Sequence, residues 1–153
     1  MTEIQFDHDR LDVYRVSIEY VANAFQCARL LSRLHRHARD QWLRASQSIP
    51  LNIAEGNGKR SLRDRARFLD IARGSALECS AIQDVLVVSG GLDPTMSYEL
   101  KATLQRIVAM LTRMTMKFEG ASDMLSESTT RVDYYHEDRP ETGDTVEAID
   151  RPI

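Results

Sequence analysis

The chain has 153 residues, 42% of them hydrophobic and 28% charged, enough apolar material for one domain with a sizeable core. Its formal net charge of −3 excludes a uniformly basic nucleic-acid binder, but the charge is unevenly divided. Residues 1–119 carry 17 Lys and Arg against 14 Asp and Glu, a net of +3, and residues 120–153 carry 3 against 9, a net of −6.

The opening MTEIQFDHDR is polar and acidic and lacks the apolar stretch of a secretion signal, so a cytoplasmic protein is expected. No apolar run approaches the roughly 20 residues of a membrane span, and no membrane is expected among the partners. A first helix is predicted from about Leu11 to Leu34. Leu11, Tyr14, Ile18, Val21, Phe25 and Ala28 recur at three and four, with Asp9 or Asp12 favouring the start. A second stripe, Val13, Val16, Tyr20, Ala24, Cys27, Leu31 and Leu34, runs beside it, and two stripes imply burial on more than one side.

The polar run His35 to Asp40 predicts a turn, with Asp40 capping a second helix whose face is Trp42, Ser46, Ile49 and Ile53. That stripe keeps its phase across Pro50, so the proline is expected to kink the helix without ending it. Gly56-Asn57-Gly58 is the expected stop. Ser61 followed by Asp64 reads as the cap of a third helix with Phe68, Ile71 or Ala72, Ser75, Cys79, Ile82 and Leu86 on its face. Gly90-Gly91 ends it, and Asp93-Pro94 opens a fourth helix carrying Met96, Leu100, Leu104, Ile107, Leu111, Met114 and Phe118. Short connections make neighbours antiparallel, so the expected fold is an all-α, up-down-up-down four-helix bundle over residues 1–119. Residues 120–153 read as an acidic, turn-rich tail without periodicity, in which Tyr134-Tyr135 offers an anchor for a partner.

Little in the chain points to catalytic chemistry. GNGK lacks the glycine spacing, the following Ser or Thr and the preceding strand of a phosphate-binding loop. Glu55 and Glu78 have no histidine three residues on, as a di-iron bundle requires, and no metal or cofactor is expected. Cys27 and Cys79 stand apart, outside any CxxC, and read as small buried hydrophobes. No nucleophile has a candidate base, so the chain is read as a non-enzyme.

The remaining polar residues suggest a packing role. Gly74 is read as a point of close approach between the second and third helices. Around it Asn52, Glu55, Ser75 and Glu78, with Arg44 or Arg73, would share a hydrogen-bonded network.

The strings Ser48-Ile49-Pro50-Leu51-Asn52-Ile53-Ala54-Glu55-Gly56, Gly58-Lys59 and Phe68-Leu69-Asp70-Ile71-Ala72-Arg73-Gly74-Ser75 with Glu78 resemble the bacterial ribosomal-RNA intervening-sequence proteins. The resemblance spans roughly residues 10–118; Asn57 departs from it, since the family commonly has Phe or Tyr between the two glycines. It implies a ring-shaped homopentamer without catalytic activity. The fold is also similar to the accessory variability proteins of diversity-generating retroelements, which implies a reverse transcriptase or another nucleic-acid-handling protein as a partner.

Two basic clusters then become candidate sites for RNA or DNA. One holds Arg36, Arg39 and Arg44 near the first turn, with Arg29 and Arg33. The other holds Lys59, Arg60, Arg63, Arg65 and Arg67 near the second, with Arg73. In an antiparallel bundle they lie at opposite ends. No base-reading motif accompanies them, so binding with little sequence specificity is expected. The alternative is a protein–protein adaptor that uses the acidic tail.

Overall fold

The computed structural model describes residues 4–137, and side chains through residue 128. The described residues form four α-helices and no strand: α1 (Asp12–Ala28), α2 (Arg36–Gly58), α3 (Leu62–Val88) and α4 (Pro94–Glu137), with 3-10 turns at Asp7–Arg10 and Arg33–His35. Of the described residues, those up to 122 form one compact unit and those from 123 on a second.

Cross-helix contacts in the first unit fix the directions. Gln41 meets Glu78 and Ser48 meets Ser75, so the numbers fall on α3 as they rise on α2. Lys101 meets Asp84 and Phe118 meets Arg65, which sets α4 against α3. One groove lies between the starts of α1 and residues 110–117 of α4, another between the end of α1 and residues 96–103. α1 is therefore antiparallel to α4, and the order is up-down-up-down.

The fourth-helix stripe is as expected: Leu100, Leu104, Ile107 and Leu111 are buried, with Met96, Met114 and Phe118 packed against them. On α3 the core face is Leu69, Ala72, Ala76, Cys79, Ile82 and Leu86, and of the Ile71/Ala72 pair Ala72 faces inward. On α1 the second stripe supplies most of the core: Val13, Tyr20, Ala24 and Cys27 are buried, as is Leu31 just past the helix, while Val16 is half covered and Leu34 exposed. Of the first stripe only Ala28 is buried; Ile18 is exposed and Leu11, Tyr14, Val21 and Phe25 are half covered.

The first turn is misplaced in the sequence reading. α1 ends at Ala28, and the run from Arg36 to Asp40 is already helix, so Asp40 caps nothing. The apolar spacing of Leu31 and Leu34 ran on through a turn that holds neither glycine nor proline. What fixes the turn is tertiary. The His35 ring lies between Ser32 Oγ, 3.1 Å from Nδ1, and the Ser89 carbonyl, 3.2 Å from Nε2. With Nε2–H donating to that carbonyl, Nδ1 accepts from Ser32. A Cβ on Gly91 would sit 3.0 Å from the same ring, so the glycine makes room for it.

α2 continues through a buried Pro50 with Trp42, Ser46, Ile49 and Ile53 buried in phase. It ends at Gly58 without a left-handed residue; the only positive φ among the described residues is at Gly90, +73°, where α3 stops. Ser61 Oγ accepts from Asp64 N at 3.3 Å, and the Asp93 carboxylate from Thr95 N and Met96 N at 2.9 and 3.1 Å, as the capping readings require. α4 does not stop at Gly120. The segment beyond it has no proline before Pro140, and one helical glycine costs only about 1 kcal/mol. Residues 138–153 of the expected tail lie outside the described residues.

The close approach between α2 and α3 is at Gly56, not Gly74. A Cβ on Gly56 would meet Phe68 Cβ at 3.0 Å and the Arg65 carbonyl at 3.3 Å, while one on Gly74 would meet nothing within 4 Å. Gly74 stands on the outer face of α3, where its cost is unopposed. Gly74→Ala is therefore expected to leave the melting temperature unchanged or raise it by the equivalent of up to about 1 kcal/mol. Gly56→Ala is expected to lower it, because two backbones cannot part without opening the core. Thermal unfolding of the two variants checks both signs.

The centre of the bundle holds a polar group that no spacing rule singles out. The Tyr20 hydroxyl accepts from Trp42 Nε1 at 2.9 Å and from Gln83 Nε2 at 2.7 Å, and Ser97 donates to Gln83 Oε1 at 3.3 Å. All four residues are buried, and each comes from a different helix. Burial, then the neighbouring Cys79, drives the Tyr20 pKa upward; burial chiefly pushes the Cys79 thiol up to about 12. Tyr20→Phe would strand two buried donors and is expected to cost about 2–4 kcal/mol. Because the folded chain holds these protons while the unfolded chain releases them, stability is complete below pH 9, the ordinary thiol value. It is expected to fall as pH rises from there towards 12, a decline that Cys79→Ala makes shallower in denaturant titrations.

Candidate nucleic-acid interface

The eight basic residues of the two clusters separate by what each already touches. At the turn between α2 and α3, Lys59 Nζ lies 3.2 Å from Glu55 and 4.7 Å from the centre of the Phe68 ring. Arg65 Nε donates to the Lys59 carbonyl at 2.6 Å, and its guanidinium lies 5.9 Å from the Phe118 ring. Arg65 therefore ties the end of α2 to α3 and α4. Arg60, Arg63 and Arg67 are exposed, and no carboxylate pairs with them among the described residues. Their spacing of three and four places them along one face at the start of α3.

At the turn between α1 and α2, Arg39 Nε is 3.2 Å from Asp40. Arg36, Arg29 and Arg33 are exposed, and no carboxylate pairs with them among the described residues. Arg44 instead lines a groove of about 620 Å³ between α2 and α3 with His37, Asp40, Gln41, Ser48, Ser75 and Glu78. The clusters are thus two basic patches at opposite ends of the bundle, each smaller than composition suggests.

The polar network is also smaller than expected. Ser48 Oγ and Ser75 Oγ are 2.8 Å apart, and Asn52 Nδ2 donates to the Ser48 carbonyl at 2.8 Å and to its hydroxyl at 3.0 Å. Ser75 Oγ in turn reaches the Ile71 carbonyl at 3.1 Å. Glu55 and Glu78 stand outside this set. Glu55 faces Lys59, and Glu78 accepts from Gln41 at 3.2 Å; both carboxylates are exposed. Arg73 pairs with Asp70 at 2.8 Å, one turn back on its own helix. Ser48 was the missed member, and its place four residues before Asn52 on one helix face was the available signal.

Among the described residues no group of three His, Cys, Asp or Glu is arranged to hold a metal ion. No described helix is long and apolar enough to cross a membrane. Cys27 and Cys79 are free and buried.

An all-helical fold of four antiparallel helices with basic residues at its two ends is the class these observations define. The chain belongs to the 23S rRNA-intervening sequence protein family, which it matches over residues 9–113. No curated protein matches it significantly. Its fold is similar to a solved protein of unknown function from the S23 ribosomal protein family of Bacteroides thetaiotaomicron. The TM-score is 0.63 at 21% sequence identity, over 67% of this chain and 97% of that one.

Proposed function

We propose that the protein is a non-enzymatic, self-associating scaffold that binds structured RNA through the turn between α2 and α3. The observation that carries this reading is the ridge Arg60, Arg63 and Arg67: three exposed cations on one helix face, none of them in an ion pair among the described residues. Arginine suits the role because its planar fork donates two hydrogen bonds to a phosphate. Along the chain that carries the ridge, no large hydrophobic side chain is exposed between Leu51 and Ile71. Contact is therefore with the phosphate backbone, and sequence discrimination is weak. The family's name, which ties its members to ribosomal RNA, supports RNA over DNA.

Self-association is supported by apolar side chains that the single chain leaves open. Ile71, Leu77 and Val85 stand exposed on the outer face of α3 beside the uncrowded Gly74, and Ile18 on α1 has half-covered neighbours in Val21 and Phe25. Burying these faces against other copies gives the homopentamer that the family resemblance implies. A ring then multiplies a modest patch into many phosphate contacts.

Fluorescence anisotropy with a labelled hairpin RNA, on a sample whose mass is measured by light scattering, tests both parts. A mass near five chains is expected, with affinity falling steeply as salt rises. Arg60→Glu, Arg63→Glu and Arg67→Glu together should reduce the log–log salt slope by about 2–3 per chain engaged. Absence of binding at low salt would replace this reading with the protein–protein adaptor, and a monomeric mass would remove the ring.

A further inference from the structure

The cluster at the other end of the bundle is built differently. The turn between α1 and α2 reads Arg29-Leu30-Leu31-Ser32-Arg33-Leu34-His35-Arg36. Leu31 points into the core, but Leu30 and Leu34 are 77% and 86% exposed. Val88, at the end of α3, is 84% exposed, one residue before the Ser89 carbonyl that meets the His35 ring. Arg29, Arg33 and Arg36 are exposed among these apolar tips, with no carboxylate partner among the described residues.

The exposure is fixed by well-made local structure. Leu30 N donates to the Cys27 carbonyl at 3.0 Å, Leu31 N to Ala28 at 3.2 Å and His35 N to Ser32 at 3.1 Å. The His35 contacts then fasten this turn to the one between α3 and α4. Leu34 and Val88 are thus held on adjoining turns and cannot fold back into the core.

We propose that this end of the bundle is an interfacial anchor for anionic lipid bilayers. Leu30, Leu34 and Val88 enter the boundary between headgroups and acyl chains, and Arg29, Arg33 and Arg36 lie among the lipid phosphates. Charge complementarity selects an anionic surface, and the leucines select one with an apolar layer beneath it. RNA fits poorly, because leucine neither stacks on bases nor bonds phosphate, and the arginine ridge at the opposite end does without such side chains. A protein partner would have to supply a pocket for each protruding tip; a bilayer yields to them without one. The long arginine stems can bury their methylenes while the guanidinium groups stay at headgroup level. A membrane-spanning helix is not needed for such attachment, and the region is separate from the proposed RNA ridge.

Co-sedimentation of the full chain with vesicles of phosphatidylcholine and phosphatidylglycerol, against vesicles of phosphatidylcholine alone, tests the proposal. Binding to the anionic vesicles that weakens with added salt is expected, with little on the neutral ones. Leu30→Ser with Leu34→Ser should weaken it by about tenfold or more, the loss expected when two leucines leave an apolar layer. Leu51→Ser, which removes an exposed leucine elsewhere on α2, should leave it unchanged. Both leucines of the pair are solvent-exposed, so the variant should keep its melting temperature. No binding to anionic vesicles at low salt would overturn the proposal, as would unchanged binding by the leucine pair, which signifies plain electrostatic adsorption. Loss of self-association or of hairpin RNA binding in that variant, with vesicle binding intact, would assign the surface to a second copy or to RNA and overturn it equally.

Discussion

The fold depends on how a single phenolic oxygen is satisfied. Tyr20 is fully buried, and a buried hydroxyl without partners would cost more than most core methylenes contribute. It receives hydrogen bonds from α2 and α3, and the Gln83 that serves it is itself held by Ser97 on α4. Leucine and isoleucine contacts tolerate sliding, because dispersion has little directional preference. A chain of hydrogen bonds near 3 Å does not. It fixes the rotation and the axial level of every helix at once, and the stripes above and below it inherit that register.

Register at the centre determines what the ends can present. At one end α2 and α3 approach so closely that only Gly56 fits opposite Phe68, and the turn is closed by Arg65 on the Lys59 carbonyl. Arg65 is thereby engaged in structure and Lys59 pairs with Glu55, which leaves Arg60, Arg63 and Arg67 as the outward-facing charge. At the other end an imidazole between two turns does the closing, and Leu30, Leu34 and the arginines beside it remain outside. Equal charge therefore produces unequal chemistry: a bare cationic ridge in one place, and a cationic surface with apolar tips in the other.

Periodicity was a good guide wherever a helix has one buried face. The stripe on α4 and the phase of α2 across Pro50 were legible for that reason, and so were the caps at Ser61 and Asp93, whose side chains act within their own turn. It failed where two explanations shared one pattern. α1 offers two stripes, and only packing shows that the one through Tyr20 is core. Leu31 and Leu34 keep helical spacing after the helix has ended. Gly56 and Gly74 look alike as letters, but one stands against Phe68 and the other against open space.

The candidate interface shows the same limit. That the basic residues gather near two turns is a property of the sequence, because helix order and length alone send those turns to opposite ends. Which of them are free is not. Arg65 and Arg67 are two residues apart on one helix; the first donates to a carbonyl and lies over an aromatic ring, and the second reaches solvent. By itself the sequence determined the all-α class, the number and order of helices and the ends at which charge collects, since these follow from local spacing and capping. Only the tertiary structure decided which stripe was core, where helices touch and which cations remain unpaired. Those outcomes rest on distances between residues far apart in the chain, and a linear pattern does not contain them.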